Sequence, residues 1–537
     1  MKQYPQKYLP LIVGAACAFG ILLGSFFNFP SHKKDLLTSN SNKKKLEKLI
    51  DYIDYDYVDK VNTDSIVDVT ISSILKDLDP HSTYIPRDAL PGVTEEMEGD
   101  FVGIGIQFFQ VKDSVAVVRT IKGGPSDKAG IEAGDRLVYA DNHPLYGNEF
   151  NFNSLKDLLR GDPESIVNLK VKRPGQKDLL DFEVTRQHIP LESVDAGFMV
   201  NEEVAYIRVN RFSKNTYQEF IKVIEDLSVE NKKSLILDLR GNGGGYLNEA
   251  IKVADEFLKE GALIVFTKDN KGKIKKTYAT SGGKLENLPV YVLIDQHSAS
   301  ASEVVAGALQ DNDVGTIVGR RSFGKGLVQR EMGLGDGSVI RLTVSRYYTP
   351  TGRSIQKPYT NENPSDYYHD FIDRYKNGEL VNKDSIKLND SLKFVTPKGK
   401  IVYGGGGIVP DVFVPMDVSY RKESLDYMLK GGMLDRFVFD YLDKERNYFN
   451  NLSQQEFMEQ VQVDEQMLKE FAEFLQEFKL SFRSRQYRDL LKTYLKASMA
   501  RQLFDNNLYQ KIINAQDPNI EKVLELYQLN QNELNVP

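Results

Sequence analysis

The chain contains very little cysteine and histidine, and both shortages exclude kinds of catalytic site. Its only cysteine, Cys17, can form no internal disulfide, and the other residues of this 537-residue chain include no thiol nucleophile or cysteine zinc ligand. The six histidines include no H-x-x-x-H pair, so the helical motif of zinc proteases is absent. We therefore expect neither a catalytic metal nor an organic cofactor.

Concentrated positive charge is absent as well. The formal net charge is −7 and is spread along the chain, whereas a nucleic-acid-binding surface needs a clustered basic face. We see no low-complexity tract and no short-period repeat. With 41% hydrophobic and 27% charged residues the composition is that of an ordinary globular protein, and the length predicts two to four domains.

A long uncharged apolar run occupies residues 8–29. About 20 apolar residues can cross a bilayer as a helix, and this run is longer than the core of a usual signal peptide. We therefore predict a transmembrane signal anchor that attaches the protein to a membrane, with a cleaved signal peptide as the alternative. Lipid attachment at Cys17 is not expected, because the apolar run continues past it. Five lysines within residues 33–45 favour the opposite membrane orientation, so charge alone leaves the orientation open.

The spacing of apolar residues divides the rest of the chain into four regions. Residues 40–96 have helical spacing, and residues 97–187 have short strands with glycine turns. Residues 190–415 alternate buried-type strands with helices, which predicts an α/β core, and their polar segment 360–395 is interpreted as an insertion loop. Residues 420–537 are helical again.

One apolar stripe in the last region has two interpretations. Its members recur at helical spacing with Glu and Lys between them: Leu468, Phe471, Leu475 and Phe478. A helix that faces its own core is the first interpretation, and a helix that binds a partner is the alternative.

Two glycine-rich segments of the region 97–187 predict peptide binding. The first has the sequence Phe101-Val102-Gly103-Ile104-Gly105-Ile106, and the second runs from residue 124 to residue 135. Glycines that expose N–H groups beside an open strand edge can capture a C-terminal carboxylate while the peptide adds a strand. A β-bulge and a tight turn are the alternative interpretation. The two segments at this spacing resemble a PDZ domain.

The candidate nucleophile is a serine between a strand and a helix. The apolar strand 290–294 runs into His297-Ser298-Ala299-Ser300-Ala301-Ser302-Glu303, and a helix follows. Such a turn can present one hydroxyl to a substrate, and the N–H groups of the first helical turn can stabilise an oxyanion. Helix capping, for which serine is a preferred residue, is the alternative role.

A nucleophilic serine needs a base, and histidine fits poorly here. No G-x-S-x-G elbow exists, and His297 lies only three residues before Ser300. A lysine whose pKa is lowered by burial is the known alternative. Lys325 lies between two glycines in Phe323-Gly324-Lys325-Gly326, in a loop that lacks the spacing of a phosphate-binding P-loop.

Together these motifs resemble the carboxy-terminal processing peptidases, also called tail-specific proteases. The 25-residue step from Ser300 to Lys325 and the step of four to Gln329 match that family. Four further segments match it in order: Leu78-Asp79-Pro80-His81-Ser82, Asp238-Leu239-Arg240, the stretch 347–355 and Gly407-Ile408-Val409-Pro410-Asp411. The resemblance covers about residues 45 to 415.

The resemblance implies a role for each site residue. Ser300 would attack the peptide carbonyl, Lys325 would accept the proton, and Gln329 would orient Lys325. Oxyanion donors would be the N–H groups of Ala301, Gly244 and Gly245. The substrate's C-terminal carboxylate would bind the loop Val102, Gly103, Ile104 and Gly105.

Two positions need comment beside the family pattern. Typical members have proline where this chain has Gly243, which leaves open which glycine of the turn serves the oxyanion. Asp311 lies where some members have a functionally sensitive carboxylate. We interpret Asp311 as structural support, because a carboxylate beside Lys325 would raise the pKa of the lysine and oppose its role as a base.

The implied fold is a multidomain α/β protein with an N-terminal helical segment, a β-rich PDZ domain, a crotonase-like α/β protease core and a C-terminal helical region. The implied function is a serine endopeptidase that recognises unstructured C-terminal tails, on the periplasmic side of the cell envelope and anchored in the inner membrane. The C-terminal helices would serve a homo-oligomer or an adaptor. A catalytically inert PDZ scaffold and a crotonase-like acyl-handling enzyme are the alternatives. The intact Ser300, Lys325 and Gln329 disfavour the first, and the PDZ insertion disfavours the second.

Overall fold

The computed structural model describes residues 13–16, 19, 41–111, 114–147, 150–151, 154–359, 364–418, 420–481 and 487–534. The predicted anchor 8–29 therefore lies almost entirely outside the described residues. Within the described ranges, no helix has both the length and the hydropathy that a membrane crossing requires. The chain divides into two units, Met1–Ile74 and Leu75–Pro537.

Helices predominate in the region 40–96. They are α1 (Ser41–Asp56), α2 (Thr63–Lys76) and α3 (Leu90–Glu98). This predicted helical region also contains one short strand, β1 (Thr83–Ile85), which follows the Asp79-Pro80 stop. This strand forms where an edge of the protease-core sheet offers it backbone partners, which its own sequence does not show.

A β domain follows. Its elements are β2 (Asp100–Gly103), β3 (Ile106–Val111), β4 (Ser114–Thr120), α4 (Pro125–Ala129), β5 (Arg136–Ala140), β6 (His143–Pro144), α5 (Leu155–Leu159), β7 (Ile166–Lys172), β8 (Leu180–Thr185) and β9 (Gln187–Pro190). The main antiparallel sheet has the order β3-β4-β5-β7-β8, and β2 pairs separately with β9. Strand β3 is therefore an edge strand, as peptide addition requires.

The α/β core comprises the next elements of the chain. They are β10 (Val194–Met199), β11 (Val204–Val209), α6 (Thr216–Leu227), β12 (Ser234–Asp238), α7 (Leu247–Asp255), β13 (Leu263–Asp269), β14 (Ile274–Tyr278), β15 (Val290–Ile294), α8 (Ala301–Asp311), β16 (Gly315–Gly319), β17 (Leu327–Gly333), β18 (Val339–Tyr348), α9 (Pro364–Lys376), β19 (Lys393–Val395), β20 (Ile401–Tyr403) and β21 (Val412–Phe413).

Two sheets build this core. The central sheet has the order β10-β11-β12-β15-β16-β21 and is parallel from β11 onward. Every residue of β12 and β15 is buried, as expected for strands covered on both faces. The second sheet has the order β1-β18-β13-β14, and β17 also pairs with β18. The β12 and β15 ends carry the glycine turn and the serine turn to the same edge of the central sheet.

The segment 360–395, interpreted as an insertion loop, is not wholly a loop. Helix α9 forms there, and Arg374 donates to the backbone carbonyls of Arg321 and Ser322 at 3.1 and 2.9 Å. Glu379 accepts two hydrogen bonds from Arg321, each at 2.7 Å. Two polar residues of this segment, Arg374 and Glu379, are therefore buried against the loop before Lys325, which the composition alone does not show.

The remaining chain is helical, as predicted. Its helices are α10 (Tyr420–Lys430), α11 (Met433–Lys444), α12 (Arg446–Asn450), α13 (Gln454–Gln460), α14 (Glu465–Glu477), α15 (Arg488–Leu503), α16 (Asn506–Asn514) and α17 (Pro518–Leu534). Most of these helices share one hydrophobic core, to which Phe471 and Leu475 belong. The apolar stripe of α14 thus faces its own core, although Phe478 at its end is 37% exposed.

Candidate active site

Ser300 stands at the start of α8 in a backbone conformation that few residues adopt. Its φ is 55° and its ψ is −113°, and such strain costs about 1–3 kcal/mol and concentrates at functional sites. The neighbouring Ser298 and Ser302 are fully buried and donate their hydroxyls to the carbonyls of Leu239 and Asn242. The structure therefore gives those two serines a structural role and leaves Ser300 as the strained, half-buried serine of the turn.

The loop that carries Lys325 is held beside this turn by the buried carboxylate of Glu303. That carboxylate accepts from the N–H of Ser300 at 2.8 Å and from the N–H of Lys325 at 2.8 Å. It also accepts from Gly324 N and from the hydroxyl of Ser322. Burial raises the pKa of Glu303, and these hydrogen bonds oppose that rise because they favour the carboxylate.

Tyr347 ties the same two segments together on their carbonyl side. Its hydroxyl lies 3.0 Å from the carbonyl oxygen of Ser300 and 2.7 Å from that of Lys325. The tyrosine is almost completely buried in the core of the domain. Glu303 and Tyr347 together therefore set the position of the serine turn relative to the lysine loop.

Lys325 Nζ donates to Gln329 Oε1 at 2.9 Å. The amide nitrogen of Gln329 in turn donates to the carbonyl oxygen of His81 at 2.6 Å, which fixes which end of the amide faces the lysine. His81 is held by Asp79, which accepts from His81 N at 2.8 Å and also from Ser82. The segment 78–82 thus forms a turn in which the carbonyl of His81 faces Gln329.

Electrostatics at Lys325 favour its neutral form. Burial lowers the pKa of Lys325, and the positive charge of Arg341 lowers it further, whereas Glu303 and Asp79 act in the opposite direction. Burial and the charge of Lys325 also lower the pKa of His81 to about 4. The imidazole is therefore neutral near pH 7, and its Nε2 lies 2.6 Å from the hydroxyl of Tyr367.

The glycine turn at the end of β12 lies against Ser300. A Cβ on Gly244, whose φ is +106°, would meet Ser300 Cβ at 2.7 Å and Ala301 N at 3.0 Å, so only glycine fits. The N–H of Gly244 already donates to Asn242 Oδ1 at 2.8 Å. Gly245 N and Ala301 N donate to no acceptor among the described residues. Of the predicted oxyanion donors, the N–H groups of Gly245 and Ala301 therefore remain available. Gly244 instead allows the glycine turn to pack closely against Ser300.

Asp311 lies away from the lysine, in an ion pair buried inside the core. Arg353 donates to its carboxylate at 2.7 Å, and both side chains are 0% exposed. Thr351 donates to the same carboxylate through its N–H and its hydroxyl. These contacts agree with a structural role for Asp311.

The predicted carboxylate-binding loop borders a groove of about 320 Å³ beside the edge strand β3. Gly103, Ile104 and Gly105 line it together with apolar side chains, and Lys156 and Arg160 add positive charge. The N–H groups of Ile104 and Gly105 have no acceptor among the described residues. Val102 does not line the groove, because side chains alternate along β2 and Val102 faces away from the side of Phe101 and Gly103.

Three of the positioning residues were missed by reasoning from the sequence. Glu303 lies three residues after Ser300, which is the spacing of a capping box, so a local signal existed for it. Tyr347 and His81 lie within matched segments, yet nothing in their spacing shows that one binds two carbonyls and the other presents one. Both roles depend on contacts between segments far apart in the chain.

Three family models and several known proteases match parts of this chain. The model of Peptidase family S41 matches residues 203–363, a PDZ domain model matches residues 102–185, and a family of unknown function matches residues 425–505. Carboxy-terminal processing protease CtpB of Bacillus subtilis (strain 168) is 34% identical over 58% of this chain and 65% of its own length. CtpA of the same organism is 32% identical over 65% of this chain and 75% of its own length.

Among solved structures, a photosystem II D1 C-terminal processing protease matches 69% of this chain and 86% of its own, with 26% identity and a TM-score of 0.34. The fold and the matched regions define a serine-type peptidase with a PDZ domain. The chain belongs to peptidase family S41, which it shares with the carboxy-terminal processing proteases.

Proposed function

We propose that this protein is an endopeptidase that binds the C-terminal tail of a protein substrate at the PDZ groove and cuts it with a Ser300–Lys325 dyad. The observation that carries the proposal is the strained Ser300 turn, which Glu303 bonds directly to the backbone of Lys325. No second base is needed, because the pKa of Lys325 is lowered and Gln329 takes one of its N–H groups.

Each step uses a group already described. Neutral Lys325 accepts the hydroxyl proton as Ser300 Oγ attacks the peptide carbonyl, and the N–H groups of Ala301 and Gly245 stabilise the oxyanion. The Lys325 ammonium then donates its proton to the leaving amine, which yields an acyl-enzyme. Lys325 next activates the water that hydrolyses it. Gln329 holds the Nζ throughout, since the His81 carbonyl fixes the amide.

Tail capture rests on the groove beside β3. A free carboxylate would accept from the N–H groups of Ile104 and Gly105, near the positive charges of Lys156 and Arg160. We expect an unfolded substrate with an apolar C-terminus to be cut. The same substrate with an amidated C-terminus should show kcat/KM lowered about tenfold or more, because charge-assisted hydrogen bonds contribute about 1.5–3 kcal/mol. Absence of cleavage would reject the proposed activity, whereas equal cleavage of both substrates would reject only the carboxylate capture.

The pH profile tests the identity of the base. Cleavage should rise toward alkaline pH as Lys325 loses its proton. The positive charge of Arg341 lowers the pKa of Lys325. In Arg341→Met the rising limb of the pH–rate profile should therefore move to higher pH, and the cleavage rate at neutral pH should fall several-fold. Arg330→Met removes an exposed arginine of the same hairpin and serves as the control. An unchanged limb in Arg341→Met would contradict the assignment of this limb to Lys325.

A catalytically inert PDZ scaffold remains the alternative function. It would bind tails and cut none, so the substrate assay separates the two functions directly. The strained backbone of Ser300 and the lowered pKa of Lys325 favour the peptidase, since a scaffold needs neither.

The proposed location is the periplasmic side of the cell envelope, with an anchor in the inner membrane. Its support is the uncharged apolar run 8–29. The full chain should sediment with membranes, and a chain without residues 1–30 should not. Assembly into a homo-oligomer or with an adaptor stays a prediction.

A further inference from the structure

The PDZ sheet buries residues that face away from its own core. Val115 and Val117 of β4 belong to the PDZ core, so Ala116 and Val118 point to the opposite face, because side chains alternate along a strand. Both are nevertheless 0% exposed, and they form a separate cluster with Phe439 of α11. The ring of Phe109 meets that of Phe439 edge to face, with 6.1 Å between centroids. The C-terminal helical region therefore covers the back of the PDZ sheet.

Charged groups also stabilise this contact between α11 and the PDZ sheet. Asp443 of α11 accepts from Arg136 of β5 at 2.6 Å and from Arg446 at 2.9 Å. Both guanidinium groups lie over the Phe439 ring, at 5.3 and 4.9 Å from its centroid. A Cβ on Gly134, whose φ is +95°, would lie 2.6 Å from Arg446 Cδ, so the two surfaces approach closely.

The other end of the helical region is fixed to the protease core. Asp517 pairs at 2.7 Å with Arg240, which follows β12 and precedes the glycine turn. Asn507 of α16 accepts from the N–H of Gly197 on the edge strand β10 at 2.9 Å. Three residues of α17 pack into the apolar cluster on one face of the central sheet: Ile520, Val523 and Tyr527. The helices between these contacts share one continuous core.

The PDZ domain is therefore connected to the core by the chain on both sides, before β2 and after β9, and additionally by the C-terminal helices. We propose that the helices of residues 420–481 and 487–534 form a strut that holds the peptide groove at a set distance from Ser300. Because an extended substrate advances about 3.3 Å per residue, a set distance admits one span between the captured carboxylate and the cut bond. A PDZ domain that could move relative to the core would admit many such spans, and therefore many cut positions. The strut thus determines where the tail is cut, an inference that rests on the proposed function.

The test measures the position of the cut in Phe439→Ala. An unfolded substrate with a free C-terminal tail is digested to low conversion, and mass spectrometry gives the number of residues between each cut and the C-terminus. We expect a narrow distribution for the wild type and one at least twice as wide for Phe439→Ala. Tyr427→Ala, which removes an exposed aromatic of α10, should retain the narrow distribution. Asp443→Asn, which removes charge without changing volume, should also widen it.

Hydrogen exchange of β4 reports whether the contact has loosened, so the outcomes can be separated. Faster exchange with a wider distribution in either variant supports the strut. Faster exchange with the wild-type distribution overturns it, and so does unchanged exchange in both variants. Absence of cleavage by the wild type would count against the proposed function and is visible before any variant is made.

Discussion

Ser300→Ala and Lys325→Ala should each lose peptide-bond cleavage by about 10⁴-fold or more, and the double variant should be no worse than either single variant. The nucleophile and its base act in one step, so removal of one leaves the other without a function. Substrate binding should persist in both variants, since the PDZ groove lies in another domain. The measurement is kcat and KM on an unfolded tailed substrate, together with the dissociation constant of the tail peptide.

Matched controls separate loss of chemistry from loss of fold. Ser302→Ala removes a hydroxyl from the same helical turn, where it donates to the carbonyl of Asn242 at 2.9 Å. Lys357→Met removes another buried lysine whose pKa burial lowers. Both should be less stable and yet retain kcat within about tenfold, because Ser302 loses a hydrogen bond to the backbone and Lys357 its ion pair with Asp370, neither of which is a contact of the dyad. Full cleavage by Ser300→Ala or Lys325→Ala would refute the dyad.

Glu303→Gln should lower kcat by about 100-fold and leave KM little changed. The carboxylate holds the backbones of Ser300 and Lys325 in one geometry, and an amide would direct its NH₂ group at donors. The pH profile adds a readout that a purely structural role would not move. The negative charge of Glu303 raises the pKa of Lys325, so its removal should shift the alkaline limb to lower pH. This shift is opposite in sign to that expected for Arg341→Met.

Glu249→Gln is the control for this prediction. Glu249 is a buried carboxylate of α7 that accepts from Tyr217 N at 3.0 Å and pairs with Lys252. Its replacement should lower the midpoint of thermal unfolding without moving the pH limb. Equal limbs in Glu303→Gln and wild type would remove Glu303 from the group that positions and tunes the lysine, whatever the loss of stability.

The local sequence predicted those parts of the site that depend on short-range order. The buried strands before Ser300 and before Arg240 end in turns because apolar β-branched runs are followed by small and polar residues. The glycines beside Lys325 are also a short-range feature, and a Cβ on Gly324 would lie 3.0 Å from the N–H nitrogen of Gly407. Such features depend on a few neighbouring residues, so they can be predicted without knowledge of the fold.

The sequence did not predict elements whose backbone or side-chain partners lie in a distant segment of the chain. Strand β1 exists because β18 offers it partners, and α9 is held by Arg374, which donates to the backbone carbonyls of Arg321 and Ser322. Neither partner is visible in the local pattern, which shows only a proline stop and a polar stretch.

The sequence by itself determined the family, the serine and lysine at their spacing, the glycine-rich peptide loop and the helical character of the C-terminal region. Only the tertiary structure decided that Ser300 is the strained serine and that Glu303 and Tyr347 join it to Lys325. The same holds for the N–H of Gly244, which donates to Asn242 Oδ1. The physical reason is that spacing along a chain specifies local geometry, whereas a hydrogen bond between distant segments depends on how the whole core packs. The carbonyl of His81 reaches Gln329 across 248 residues of sequence, and no local pattern could place it there.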